Sequence, residues 1–256
     1  MSAFRVRWSA LLALGWFGIT LVAPLQTGRA EPAQADDQAI AASLANMLRA
    51  ARSVISSDQP LINDPSIGDK GLSGKVVLAR ALEIYSKSGG IDPMTGDQTS
   101  RAARLLHDEM DAIVEVVDAN QDTINVKGVG FKAFIPAVFA RLIDEAFARR
   151  AGAEASVKVT APKDLVRNRK ALPDAFENSV ITEKFLSASW PKGQTYEAVV
   201  TDGGRHEFRM LAPEYYATSC LTCHGSPKGS LDITGYPREG ANAGDLGGVI
   251  SIILTQ

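Results

Sequence analysis

Cys220-Leu221-Thr222-Cys223-His224 holds both cysteines of the chain and one of its three histidines. Two thiols three positions apart sit on one face of a helical turn, and an imidazole follows at once. That set suits covalent attachment of haem c. Each thiol adds to a porphyrin vinyl group, and His224 presents its imidazole to the iron as the proximal ligand. Three other chemistries use the same residue types. A thioredoxin-type dithiol places C-x-x-C near the start of a βαβ unit, whereas this cluster lies late in the chain. A structural zinc site wants four ligands, and only His107 and His206 remain to join it. A local disulfide accommodates the two cysteines but gives His224 no role.

The N-terminus bears on that choice. Arg5 and Arg7 precede an apolar run, Trp8 to Ala23, and small Gly28 and Ala30 follow at the positions a signal peptidase reads. The run is short for a span of about 20 residues. Residues 1–30 are therefore expected to be a signal peptide cleaved after Ala30, and the mature protein is expected in the periplasm with no transmembrane span. In an oxidising compartment a disulfide framework is possible, yet two cysteines so close in sequence staple almost nothing.

The elements that must position the cluster fall into two halves. Ile40, Leu44, Met47, Leu48, Ala51, Val54 and Ile55 form one apolar stripe, which predicts a helix over 35–57. Prolines and glycines break the pattern over 56–75. Further helices are expected over 73–88, 99–121 and 131–150, the last with Pro136 in an early turn. The period then changes. Residues 156–161 alternate as a strand, and 173–189 read as helical with Pro173 at the start. Residues 195–211 form a hairpin turning at Asp202-Gly203-Gly204, and 247–255 form a closing apolar strand. Helices first and strands later make the class α+β with an antiparallel sheet. A single domain over 31–256 is expected, mainly helical over 31–150, with the sheet and the cluster over 151–256.

Composition narrows the function. The chain is 45% hydrophobic and 22% charged with a net charge of −2, and loses three arginines with the leader. That balance argues against an electrostatic nucleic-acid binder. It has no Walker-type phosphate loop and no G-x-S-x-G elbow, and we expect no enzyme site.

The segment after the cluster is similar to a known family. C-x-x-C-H-G at 220–225, D-I-T-G-Y-P-x-E-G at 232–240 and G-D-L-x-G-x-I-S at 244–251 resemble the C-terminal signature of the PAS-like haem c domains. The segment 157–177, with its R-N and P-D-x-x-E, resembles that family's upstream region. Residues 50–71 and 130–142 resemble its helical part. The resemblance implies a PAS-like antiparallel sheet preceded by long N-terminal helices, with one covalent haem c. In many relatives the domain feeds a chemoreceptor or histidine kinase. Here the chain ends directly after the last strand, so a signal is expected to pass to a separate periplasmic redox partner or membrane receptor. Redox or small-ligand sensing through the haem is the expected role, with periplasmic electron transfer as the alternative.

Several further residues belong to this picture. His107 is either a helix-surface histidine beside Asp108 and Glu109 or the distal iron ligand. Met110, one turn along, is the next candidate, while Met47 and Met210 read as core and His206 as exposed. Arg167, Asn168, Arg169 and Lys170 form either a solvated loop or a carboxylate-binding set for the haem propionates. Tyr236 sits in a turn where its ring can pack on the porphyrin. Asp232 and Asp245 read as turn caps.

Overall fold

The computed structural model describes residues 32–256; the expected signal peptide lies outside them. Residues Glu31–Gln256 form one compact unit. Helix α1 (Pro32–Ser57) carries the apolar stripe, and Leu44, Met47, Leu48 and Ile55 on it are fully buried. The breaker-rich stretch that follows still makes one short helix, α2 (Gln59–Ile62). Pro60 stands in its first turn, where a missing N–H costs no hydrogen bond. Helix α3 (Gly74–Tyr85) starts at Ser73, whose side chain accepts from the Val76 N–H. Helix α4 (Arg101–Ala119) is capped in the same way by Ser100. It ends before the expected Gln121, because Asn120 leaves helical geometry and a separate turn, α5 (Gln121–Asn125), follows. Helix α6 (Pro136–Ala151) opens on Pro136, later than the expected Phe131, since proline has no N–H to give and fits a first turn. No described helix is long and apolar enough to cross a membrane.

Four strands form one antiparallel sheet in the order β1-β4-β3-β2: β1 (Ala155–Thr160), β2 (Tyr196–Asp202), β3 (Arg205–Tyr215) and β4 (Leu246–Thr255). The β2–β3 hairpin turns on Gly203 and Gly204, both at positive φ (54° and 82°), as a tight right-twisted turn requires. Register decides what each face meets. Phe208, Met210 and Ala212 pair across the sheet with Leu254, Ile252 and Ile250, and with Ala155 and Val157 they pack against α1 and α6, on which α4 packs in turn. Alternate residues face the other way. Leu211 and Val249 lie under α7 (Ala175–Val180) and the wider turn Ile181–Phe185, joined by Phe176, Trp190 and Tyr196. Central strand β3 is thus covered on both faces, while Tyr196 and Phe208, read together in the hairpin pattern, serve opposite faces.

The second face is tied down by charge. Helix α7 begins with a capping box, Asp174 accepting from the Glu177 N–H and Glu177 from the Asp174 N–H. Lys158 on β1 donates to Glu177 at 2.6 Å, and Arg209 on β3 to Asp174 at 2.5 Å. The 163–172 loop is held to the same face, because Thr160 Oγ1 donates to the Ala171 carbonyl at 2.7 Å. That loop carries Arg167.

Candidate functional site

Beyond β3 the chain turns at Tyr216, which is fixed at both backbone groups. Its N–H donates to the Asp245 carbonyl (3.0 Å) and its carbonyl accepts from the Gly244 N–H (2.8 Å). Gly247 is needed here, since a Cβ at that position would stand 2.6 Å from the Tyr216 ring. A turn over Thr218–Cys220 leads into the one-turn helix α8 (Leu221–His224). Gly225 ends it. Its N–H donates to the Leu221 carbonyl at 2.9 Å, and a Cβ there would lie 2.6 Å from that oxygen. The glycine after the histidine is therefore a packing necessity.

Cys220 and Cys223 are free thiols, both half-buried. Burial, then the nearby Asp232 charge, raises the Cys223 thiol. A redox dithiol works through a thiolate with depressed pKa, and Cys223 is shifted the other way. His224 is oriented on its inner nitrogen. Nδ1–H donates to Glu239 Oε2 at 2.9 Å, and the Tyr216 hydroxyl stands 3.3 Å from the same atom. The Tyr216 ring stacks on the imidazole, with centroids 4.8 Å apart and planes at 27°. A carboxylate at Nδ1 holds the proton there and leaves the Nε2 lone pair for a metal. Among the described residues Nε2 has no hydrogen-bond partner.

Arg167 binds this arrangement together. Its Nε and Nη2 form a fork on Glu239 (3.0 and 3.1 Å), Nη1 reaches Asp232 at 2.6 Å, and Nη2 also donates to the Cys223 carbonyl at 3.0 Å. The guanidinium lies over the Tyr236 ring, 5.4 Å from its centroid. One side chain thus joins the loop at 163–172, the attachment turn and the segment 229–239. Burial works against the Glu239 carboxylate, but the Arg167 and His224 hydrogen bonds outweigh it and hold its pKa down. Burial also opposes the Asp232 charge, yet bonds from Thr234, Arg167 and the Tyr236 N–H keep it ionised far below the usual range.

Arg167 and Asn168, read from the sequence as part of either a solvated loop or a propionate-binding set, have partners within the chain. The Arg167 guanidinium is bonded to Asp232 and Glu239. Asn168 has a local role as well: its Oδ1 accepts from the Lys170 N–H at 3.1 Å and caps the turn Arg169–Ala171. Tyr236 remains beside the site, its ring packed on Arg167 and its hydroxyl near the Arg167 carbonyl (3.4 Å). Asp232 and Asp245 cap turns as expected, but Asp232 also anchors Arg167. Glu239 and Tyr216 had no assigned role. The one signal for Glu239 was its place in the D-I-T-G-Y-P-x-E-G motif.

The structure does not bring His107 to His224. His107 Nε2 contacts the Pro93 carbonyl (3.1 Å) and Gln98 Oε1 (3.0 Å) in the α3–α4 loop. Met110 is buried in the helical layer, where α4 packs on α1, α3 and α6. Met47 and Met210 are core, and His206 is exposed on the hairpin beside Thr201.

Residues that fit haem c attachment are therefore in place: two free thiols on one turn, and an imidazole with one nitrogen anchored and the other open. No curated protein and no solved structure matches the chain in comparison. The Tll0287-like family matches residues 30–255, nearly the whole length. The chain belongs to this family of PAS-like, haem c-binding domains.

Proposed function

We propose that the protein is exported and carries one haem c, bound covalently through Cys220 and Cys223 with His224 as proximal ligand, and that it senses redox state or a small iron ligand. The observation that supports this most is the 2.9 Å bond from His224 Nδ1 to Glu239. A carboxylate behind a ligating histidine fixes its tautomer and raises its basicity. When bound, the haem supplies a one-electron change and an iron site for a small molecule. Glu239 orients the imidazole, Arg167 fixes Glu239, and the Tyr216 ring holds the imidazole plane. The thiols of Cys220 and Cys223 add across the two vinyl groups. No turnover reaction is assigned to these residues.

His107 is closed onto the α3–α4 loop, Met47, Met110 and Met210 are buried, and His206 lies on the hairpin, while Met94 is exposed in the α3–α4 loop. None of them contacts the C-x-x-C-H turn among the described residues, which favours an open distal position and hence sensing. Electron transfer is the second reading. Leu231 and Ile233 flank Asp232 and are 69% and 61% exposed, an apolar edge that suits a transient redox partner. Protein made in a periplasm with cytochrome c maturation should keep its haem through denaturing electrophoresis, and Cys220→Ala with Cys223→Ala should lose it. Ferrous protein should bind carbon monoxide rapidly. Colourless wild-type protein with a Cys220–Cys223 disulfide refutes the haem; slow, displacement-limited carbon monoxide binding favours the carrier.

A further inference from the structure

Far along the chain from the haem-binding motif, two lysines converge. Lys70 lies in the loop before α3 and Lys132 in the loop before α6, and they are 7% and 5% exposed. Lys70 Nζ donates to the Asp64 carbonyl at 2.8 Å and to the Ile67 carbonyl. Lys132 Nζ donates to the Ile62 carbonyl at 2.5 Å and to the same Asp64 carbonyl at 3.2 Å. Sharing one oxygen at hydrogen-bond range holds the two nitrogens within about 6 Å of each other. All three acceptors are neutral carbonyls. The Asp64 carboxylate is turned away, onto the Ser66 N–H (2.8 Å) and hydroxyl (2.6 Å).

Two covered ammonium groups at this separation repel, with little water to screen them. Burial, then the Lys70 amine and its charge, lowers the Lys132 pKa; the more distant Asp64 charge opposes this only in part. The less protonated of the pair has a lone pair to offer. Lys132 also lines a cavity of about 410 Å³ with Val126, Val129, Phe131, Thr123 and Asp122. The next residue, Ala133, holds a φ of 58°, a left-handed conformation that is rare without glycine. The backbone is thus constrained where it sets this side chain. Apolar walls and the Asp122 carboxylate favour a small uncharged visitor over an anion.

We propose that Lys132 is a modification site, a nucleophilic amine that adds to a small uncharged carbonyl electrophile entering this cavity, either carbon dioxide or a short aldehyde. The Nζ lone pair forms a bond to the carbonyl carbon. With carbon dioxide the product is a carbamate and one proton goes to solvent; with an aldehyde it is an imine and one water leaves. A carbamate gives Lys70 the counter-charge that its neutral acceptors do not.

Trace labelling of the folded protein with acetic anhydride at pH 7 tests the nucleophile. Lys132 should acetylate measurably faster than exposed Lys75 and Lys127, since an amine held below the usual lysine range is more often unprotonated at pH 7. Lys70→Met, checked for folding by circular dichroism, should slow it, because the neighbouring amine's share of the effect is removed while the burial stays. A wild-type rate no faster than those references, or a fast rate that Lys70→Met leaves unchanged, overturns the proposal. Two further arms identify the electrophile: carbon-13 carbon dioxide trapped by an oxonium alkylating agent, and acetaldehyde fixed by borohydride. A Lys132 adduct in either arm names the source. No Lys132 adduct in both arms overturns the proposal.

Discussion

The helical layer and the attachment segment are neighbours in one compact unit but are held by different physics. Against one face of the sheet, α1, α4 and α6 bury a continuous set of Leu, Ile and Phe side chains, among them Phe139 and Phe147. Each contributes about 1.5–3 kcal/mol, and no single one decides the fold. Over 216–241 only Tyr216, Gly225 and Asp232 are buried. That segment is kept in shape by Arg167 and the carboxylates around it. Apolar burial is distributed and redundant; an ionic clamp is concentrated in one residue.

Two substitutions of similar cost should therefore fail in different ways. Phe139→Ala removes a fully buried ring and should cost about 3–5 kcal/mol, lowering the melting temperature and loosening the whole unit. Arg167→Ala leaves Asp232, with a fully buried side chain, facing no cation, at a cost of about 3–5 kcal/mol. Its effect should be local. Hydrogen exchange should rise across 216–241 while α1, α4 and α6 keep their protection. Arg167→Lys should not rescue it, because one ammonium cannot reproduce the fork on Glu239 together with the bonds to Asp232 and Cys223. Wild-type exchange over 216–241 in Arg167→Ala would show that the clamp is dispensable.

The two regions also titrate with opposite sign. In the helical layer Glu109 is fully buried with neither carboxylate oxygen partnered among the described residues, and Asp144 has one such oxygen. Burial raises both groups, Asp144 to about 7, and Asp144 in turn raises Glu109. A carboxyl raised in the folded state binds more protons there than in the unfolded chain, where it titrates near 4. Stability is then full below pH 4 and is lost as pH rises through the folded values. Between pH 5 and pH 8 the loss should be on the order of 2–3 kcal/mol for Asp144 alone. The site carboxylates Asp232 and Glu239, held low, titrate below that window. Urea unfolding at pH 5, 6.5 and 8 checks it. Asp144→Asn and Glu109→Gln should each flatten the decline, and a wild type equally stable at pH 5 and pH 8 rules it out.

The same contrast explains what the sequence discloses. Helices α1 and α4 are legible because burial on one face imposes a 3.6-residue period, and the hairpin because Gly203-Gly204 marks its turn. The C-x-x-C-H residues are legible because the covalent attachment we propose for them would fix their spacing. The clamp is not. Arg167 meets the Cys223 carbonyl from 56 residues away, and a long-range charge pair imposes no local pattern. Guanidinium chemistry alone matches a propionate as well as it matches Asp232 and Glu239, so the choice between them needs the fold.

Glu239→Gln probes the clamp more gently. The amide oxygen can still accept from His224 Nδ1–H, but the negative charge behind the imidazole is gone. A less basic proximal ligand favours ferric iron less, so the reduction potential of the haem-loaded protein should rise while covalent attachment persists. Spectroelectrochemical titration beside wild type measures this. An unchanged potential means that the carboxylate does not act through the imidazole.

The smallest effect is expected at His107, and its absence is informative. His107 and Met110 are three apart on α4, so they share a helical neighbourhood, and helix periodicity alone leaves open which layer that helix joins. In the structure α4 packs on α1, α3 and α6, and His107 closes onto Pro93 and Gln98. Arg167, which binds the attachment turn, is on a loop held to the other face of the sheet by the bond from Thr160 to Ala171. His107 and Met110 have their partners in the helical layer, and among the described residues no hydrogen bond joins either to Cys220, Cys223 or His224. His107→Ala and Met110→Ala should both leave the ferric and ferrous spectra and the rate of carbon monoxide binding at wild-type values. His107→Ala should cost under about 1 kcal/mol, the scale of a surface hydrogen bond; Met110→Ala should cost about 2–5 kcal/mol as a buried core truncation. If His107→Ala instead opens the iron to faster carbon monoxide binding, α4 moves to the haem when it is attached, and the separation of the two regions fails.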